Sequence, residues 1–135
     1  MSQVVKAYPP NYETICKHIP AVRRNPNIVF TYGDTLYNPA GNILDEAFLA
    51  HEQVHVDRQA NPEGWWTQYL TDVQFRLAEE VLAYRVQYQY AVEYYSRAQR
   101  RRLLQHITAD LSGPMYGNLI TKFQAAAMIT NEAAE

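Results

Sequence analysis

Two histidines and a glutamate fall together at His51-Glu52-Gln53-Val54-His55, inside the stretch AHEQVHV. Residues three and four apart share a face of an α-helix, so His51 and His55 point the same way and Glu52 flanks them. Imidazole nitrogen and carboxylate oxygen are both good zinc ligands, and a catalytic zinc site has three protein ligands with one position left for water. Two histidines at this spacing supply two of the three, and the glutamate beside the first can act as general base toward the water that the metal activates. The bland alternative is three polar residues on a partly exposed helix. A third ligand decides between them.

The candidates are Glu79 and Glu80, in the segment FRLAEEVLAY. At about 100° per residue, Glu80 borders the apolar stripe of Val73, Leu77, Val81, Tyr84 and Tyr88, whereas Glu79 turns toward Asp72 and away from it. A carboxylate beside an apolar stripe is costly unless it meets a cation or a metal. Arg76, one turn earlier, would satisfy Glu80 as a plain ion pair. The other reading is one Zn2+ held by His51, His55 and Glu80, with Glu52 as the base.

These residues must be positioned by helices, and the sequence supplies their punctuation. The segment PPNYETICKHIPAV predicts a short helix capped by Asn11 and stopped before Pro20. After the basic RRNPN, the β-branched and aromatic run Ile28–Tyr32 and the turn Gly33-Asp34 into Thr35–Tyr37 predict a hairpin. A helix from about Leu44 to Gln59 carries the histidines, and Asn61 with Pro62 opens a short helix through WWTQYL. Thr71-Asp72-Val73-Gln74 reads as a capping box for a long helix, and Ser96-Arg97-Ala98-Gln99 repeats that signature for a separate one. Ser112-Gly113-Pro114 breaks it before a last helix, about Tyr116 to Ile129, and a frayed tail TNEAAE. The expected fold is mainly α with a small β-hairpin, in one domain. Its parts are an N-terminal helix and basic loop (1–26), the hairpin (27–38), the zinc helix (44–60), the third-ligand helices (62–95) and the C-terminal helices (96–130).

His51-Glu52-Gln53-Val54-His55, followed by Glu80-Val81-Leu82-Ala83-Tyr84, resembles the gluzincin metallopeptidases, in which a glutamate in an E-x-x-A-D type segment completes the histidine motif. The wider pattern, with TYGDTLYNP, GWWTQYL and the late LSGPMYG, looks like small metallopeptidase-like proteins encoded by bacteriophages, over about Asn27 to Ile129. The resemblance implies a minimal zincin-like domain that hydrolyses peptide bonds, with His51, His55 and Glu80 as ligands and Glu52 as base. Tyr84 stands where the broader pattern has the aspartate that orients a ligand histidine, so that role falls to the Tyr84 hydroxyl or to another residue such as Asp57. The phage resemblance also allows a virion or tail-assembly protein with a structural zinc site, packed against other phage structural proteins. A cell-wall peptide amidase or endopeptidase would share the chemistry.

Hydrolysis of a peptide needs further parts. The hairpin from Phe30 to Tyr37 is a candidate edge for a substrate strand, or else merely a cover for the core. Tyr116, Tyr84 and, more remotely, His106 are candidate donors to a developing oxyanion. Trp65 and Trp66 either anchor the segment between the ligand-bearing helices or stack on substrate. Tyrosine is abundant, with 11 copies, and its density between Tyr69 and Tyr95 favours a wet cavity or an interface there.

Bulk properties exclude other classes. A net charge of -2 gives no overall attraction to nucleic acid or to an anionic membrane, and the cluster Arg97, Arg100, Arg101 and Arg102 reads as a solvated helix face. The one cysteine, Cys16, forms no disulfide framework and reads as a small buried hydrophobe. Without a signal-like start or a membrane-length apolar run, the expected location is the cytoplasm, that of the host if the chain is phage-encoded, or the virion.

Overall fold

The computed structural model of the chain describes residues 3–134. In chain order its elements are β1 (Gln3–Val5), α1 (Tyr12–His18), β2 (Phe30–Tyr32), β3 (Thr35–Tyr37), α2 (Glu46–Arg58), α3 (Pro62–Thr71), α4 (Val73–Tyr94), α5 (Arg97–Leu111) and α6 (Lys122–Ala134). Short 3-10 turns add Pro20–Arg24 and Pro114–Tyr116. The chain is thus mainly helical with a small sheet, as the sequence predicts.

Local chemistry sets the helix ends. The Asp45 side chain accepts the Phe48 backbone N–H at 2.9 Å and opens α2, a cap worth about 1 kcal/mol. Asn61 does the same for Gly64, with Pro62 in the first helical position of α3, where its missing N–H costs nothing. Ser96 and Gln99 form a reciprocal capping box at the start of α5. The cap of α4 differs from expectation: Asp72, not Thr71, accepts the N–H groups of Gln74 and Phe75. Thr71 belongs to α3 instead, where its hydroxyl bonds back to the Thr67 carbonyl.

The hairpin pairs Phe30 with Tyr37, Thr31 with Leu36 and Tyr32 with Thr35, and Gly33, at φ 65°, makes its tight turn. β1, for which the sequence shows no pattern, adds in parallel to β3, giving the order β1-β3-β2. The last helix starts later than expected because Tyr116 lies in a 3-10 turn and Gly117 is left-handed. Thr121 and Gln124 then cap α6 reciprocally. That helix is assigned as Lys122–Ala134; Glu135 lies outside the described residues, as do the first two residues of the N-terminal segment.

Two apolar clusters result. One joins α1, the first 3-10 turn, β2 and α3 through Ile15, Cys16, Val22, Phe30, Trp66 and Leu70; the other joins α4, α5 and α6 through Leu77, Val81, Ile107, Leu111, Ala125 and Ile129. Each fully buried aliphatic side chain contributes about 1.5–3 kcal/mol. Met115 packs against both clusters, and the candidate site residues line a cavity between them. Among the described residues no helix is long and apolar enough to cross a membrane.

Candidate metal centre

α2 lies along α4, the most extensive helix pairing in the fold. This sets His51 and His55, one turn apart on α2, against Glu80 in the middle of α4. His51 Nε2 lies 3.0 Å and His55 Nε2 3.2 Å from the same oxygen, Glu80 Oε1. One ligand atom from each residue falls within 4.8 Å of the others, and the three residues are only 5%, 4% and 7% exposed. Two imidazole nitrogens and a carboxylate oxygen converging in a buried place form a donor set that could hold a metal ion.

Arg76 is not the partner of Glu80. Its guanidinium bonds the backbone carbonyls of Tyr69, Leu70 and Met115, so the plain ion pair does not form. Instead the two histidines carry the electrostatics. Burial alone would lower the His55 pKa, but the charge and hydrogen bond of Glu80, with Glu52 and Glu79 behind it, raise it to about 9. Burial would likewise push the Glu80 carboxyl up, and the facing His55 and His51 outweigh it and hold that carboxyl well below the usual range. A proton on His55 therefore stands where a metal could, balancing the same buried carboxylate.

On the side away from Glu80 the histidine rings are held by aromatic packing rather than by acceptors. Phe48 stacks on His51 at 5.9 Å, Tyr84 meets His51 edge-on at 4.6 Å, and Trp65 meets His55 edge-on at 5.5 Å. Both Nδ1 atoms are buried and lack a hydrogen-bond partner. Neither orienting residue considered from the sequence supplies one: the Tyr84 hydroxyl donates to Asp110 Oδ2 at 2.6 Å, and Asp57 accepts from Gln53 at 2.8 Å. An acceptor on Nδ1 raises ligand basicity, so a centre without one binds metal less tightly.

Glu52 is 4% exposed, and its Oε2 accepts the Thr31 hydroxyl at 2.5 Å, which ties the base position to β2. A cavity of about 270 Å³ brings Glu52, the two histidines and Glu80 together with Tyr84, Tyr116, Asp110 and His106, under an apolar wall of Ile15, Ile19, Ile28 and Phe30. Tyr116 Oη sits 3.4 Å from Asp110 Oδ2, a longer and weaker bond than that of Tyr84. Burial pushes both phenols well up, so both hydroxyls stay protonated as donors, and burial also raises the Asp110 carboxyl. His106 is exposed at the rim. Thr31, Tyr69 and Asp110 had no local signal as site residues; they arrive by long-range packing.

Glu79 turns away from the apolar stripe, yet it is 2% exposed, held by Arg58 through contacts of 2.8, 3.0 and 2.8 Å and by the Trp65 indole N–H at 2.8 Å. Burial would raise its carboxyl, and these donors more than offset that and lower it. Adjacent carboxylates thus take separate tasks, Glu79 joining α2, α3 and α4 while Glu80 faces the histidines. Trp65 and Trp66 are anchors with both indole N–H groups used internally, Trp66 on the Thr31 carbonyl at 3.0 Å.

The hairpin edge is also less free than the sequence allows. The Gln59 side chain donates to the Thr31 carbonyl at 3.0 Å and accepts the Gly33 N–H at 2.8 Å, so at these two positions the outer edge of β2 is covered from the end of α2. A substrate strand cannot use them. Of the arginine cluster, Arg97, Arg101 and Arg102 are exposed, in keeping with a solvated face. Cys16 is buried and free.

No family model matches the sequence, and neither a curated protein nor a solved structure shows significant similarity to it.

Proposed function

We propose that this chain is a zinc-dependent hydrolase of peptide bonds. One observation carries the reading: two histidine Nε2 atoms one helical turn apart converge on a single buried oxygen of Glu80, and the glutamate next to the first histidine lines the same cavity. His51, His55 and Glu80 would hold the ion, which when bound acts as a Lewis acid toward a carbonyl and lowers the pKa of water. The sequence resemblance to gluzincin and phage-encoded metallopeptidases supports the same ligand set.

The chain's own residues then have these tasks. Glu52 takes a proton from water on one carboxylate oxygen and returns it to the leaving amine, with Thr31 holding its Oε2. Tyr116, whose bond to Asp110 is long, is the best-placed hydroxyl to turn toward a developing oxyanion, while the shorter Tyr84–Asp110 bond keeps Tyr84 as a wall against His51. The apolar wall keeps competing water out and receives an apolar part of a peptide.

The test is incubation of a mixed-sequence peptide library with the zinc-loaded chain, products being read by mass spectrometry, beside Glu52→Gln. Cleavage by the wild type that vanishes in Glu52→Gln supports the proposal; full activity in the variant would refute the role of Glu52. The near-complete burial of His51, His55 and Glu80 favours a second reading, a virion or assembly protein with a structural ion. That reading requires a fourth protein ligand, and an inert wild type with a closed coordination shell would favour it over catalysis.

A further inference from the structure

We infer that Tyr69 is a positioning residue of this centre: its hydroxyl occupies Glu80 Oε2, so that Glu80 presents one oxygen, not two, to the ion. The inference rests on the metal reading above and adds to it a residue that neither the motif nor the resemblance assigns.

The geometry divides the two oxygens of Glu80. Both histidine Nε2 atoms address Oε1, at 3.0 and 3.2 Å, whereas Tyr69 Oη donates to Oε2 at 2.7 Å. Tyr69 is 5% exposed and has little freedom to release that oxygen. Its ring stacks on Trp65 at 4.7 Å with 21° between planes, and the Arg76 guanidinium lies 5.6 Å over the ring. Arg76 also donates to the Tyr69 carbonyl at 2.8 Å, and Trp65 is itself fixed by its bond to Glu79. Arg58, Glu79, Trp65, Tyr69 and Glu80 therefore form one continuous chain of contacts from the end of α2 to the ligand oxygen.

The consequence concerns the number of open positions. A carboxylate that binds through both oxygens fills two coordination positions, and one held at Oε2 fills a single position. With His51 and His55, a one-oxygen Glu80 makes three protein ligands and leaves the fourth position for the water on which Glu52 acts. Release of Oε2 would let Glu80 bind through both oxygens beside that water and raise the coordination number to five.

The test compares wild type with Tyr69→Phe, which keeps the ring and removes only the hydroxyl. Zinc affinity is measured by competition with a chromophoric chelator, and cobalt(II) is loaded in parallel, because its visible bands are intense at four-coordination and weaken as the coordination number rises. Tyr69→Phe should bind zinc about 10–100-fold more weakly. Its cobalt bands should also weaken, a change that loss of packing alone would not produce. X-ray absorption at the zinc edge of the unsubstituted protein should show four nitrogen or oxygen neighbours, and this arm decides if Tyr69→Phe does not fold. Equal affinity and equal spectra in the two proteins, or five or six neighbours in wild type, would overturn the inference and leave the proposed function standing. Wild type that binds neither metal would overturn both.

Discussion

Replacing Glu80 by glutamine keeps the volume at the centre of α4 and removes the one charged oxygen that both histidines share. In a protein with a metal centre here, the effect shows as linkage between folding and metal concentration. An ion that binds only the folded chain at about 100 times its dissociation constant stabilises it by about 2.7 kcal/mol. With about 2.1 cal/mol/K of unfolding entropy per residue over 135 residues, the slope near the midpoint is about 0.28 kcal/mol/K. The expected rise in Tm on adding zinc is therefore about 10 °C in wild type. Glu80→Gln replaces an anionic ligand by a weak neutral one, and its rise should be below about 3 °C. Scanning calorimetry with and without a chelator reads all four states. No zinc-dependent shift in wild type, or the same shift in Glu80→Gln, would refute the reasoning.

Other expectations follow from neighbouring contacts. Glu52→Gln should keep the zinc-dependent rise in Tm and lower turnover of any cleaved peptide about 10²–10⁴-fold, measured by steady-state kinetics. Arg58→Ala leaves the Glu79 carboxylate, 2% exposed, without its cation; because the Arg58 side chain is 47% exposed, the loss should be about 1–3 kcal/mol, below that of a fully buried pair, in urea unfolding. In a chelator, the folded His55 pKa of about 9 stands above its unfolded value near 6.5, so its contribution is full below about pH 6.5 and is lost as pH rises through about 9. Urea midpoints across that window should fall for wild type and stay flatter for Glu80→Gln. Gln59→Leu removes the partner of the Gly33 N–H and leaves the Thr31 carbonyl to the Trp66 indole alone, and should cost about 1–3 kcal/mol by the same urea assay.

What the sequence revealed, and what it hid, follows from the range of the interactions. Caps at Asn61 and Ser96 were legible because they depend on residues within one turn. Glu80 was legible for a similar reason, since helical phase set it beside Leu77, Val81 and Tyr84, all of which are buried. Phase alone did not show that Glu79 is buried: α4 packs against α2, α3, α5 and α6, and Glu79, away from the stripe, is enclosed by Arg58 from α2 and Trp65 from α3. Strand β1 was hidden because three residues cannot display a period, and it is defined only by pairing with β3. Tyr69, Thr31 and Asp110 were out of reach as site residues because they are joined to their partners across 11, 21 and 26 positions of sequence. The density of tyrosines from Tyr69 onward favoured a wet cavity or an interface, and two of them, Tyr69 and Tyr84, line the cavity.

Zinc per chain, measured by plasma mass spectrometry after equilibrium dialysis, bears most directly on whether His51, His55 and Glu80 form a metal centre. Wild type and Glu52→Gln should each retain about one ion, while His51→Ala, His55→Ala and Glu80→Ala fall far below it. Wild type that retains no zinc, or the same zinc content in all five proteins, would contradict the assignment.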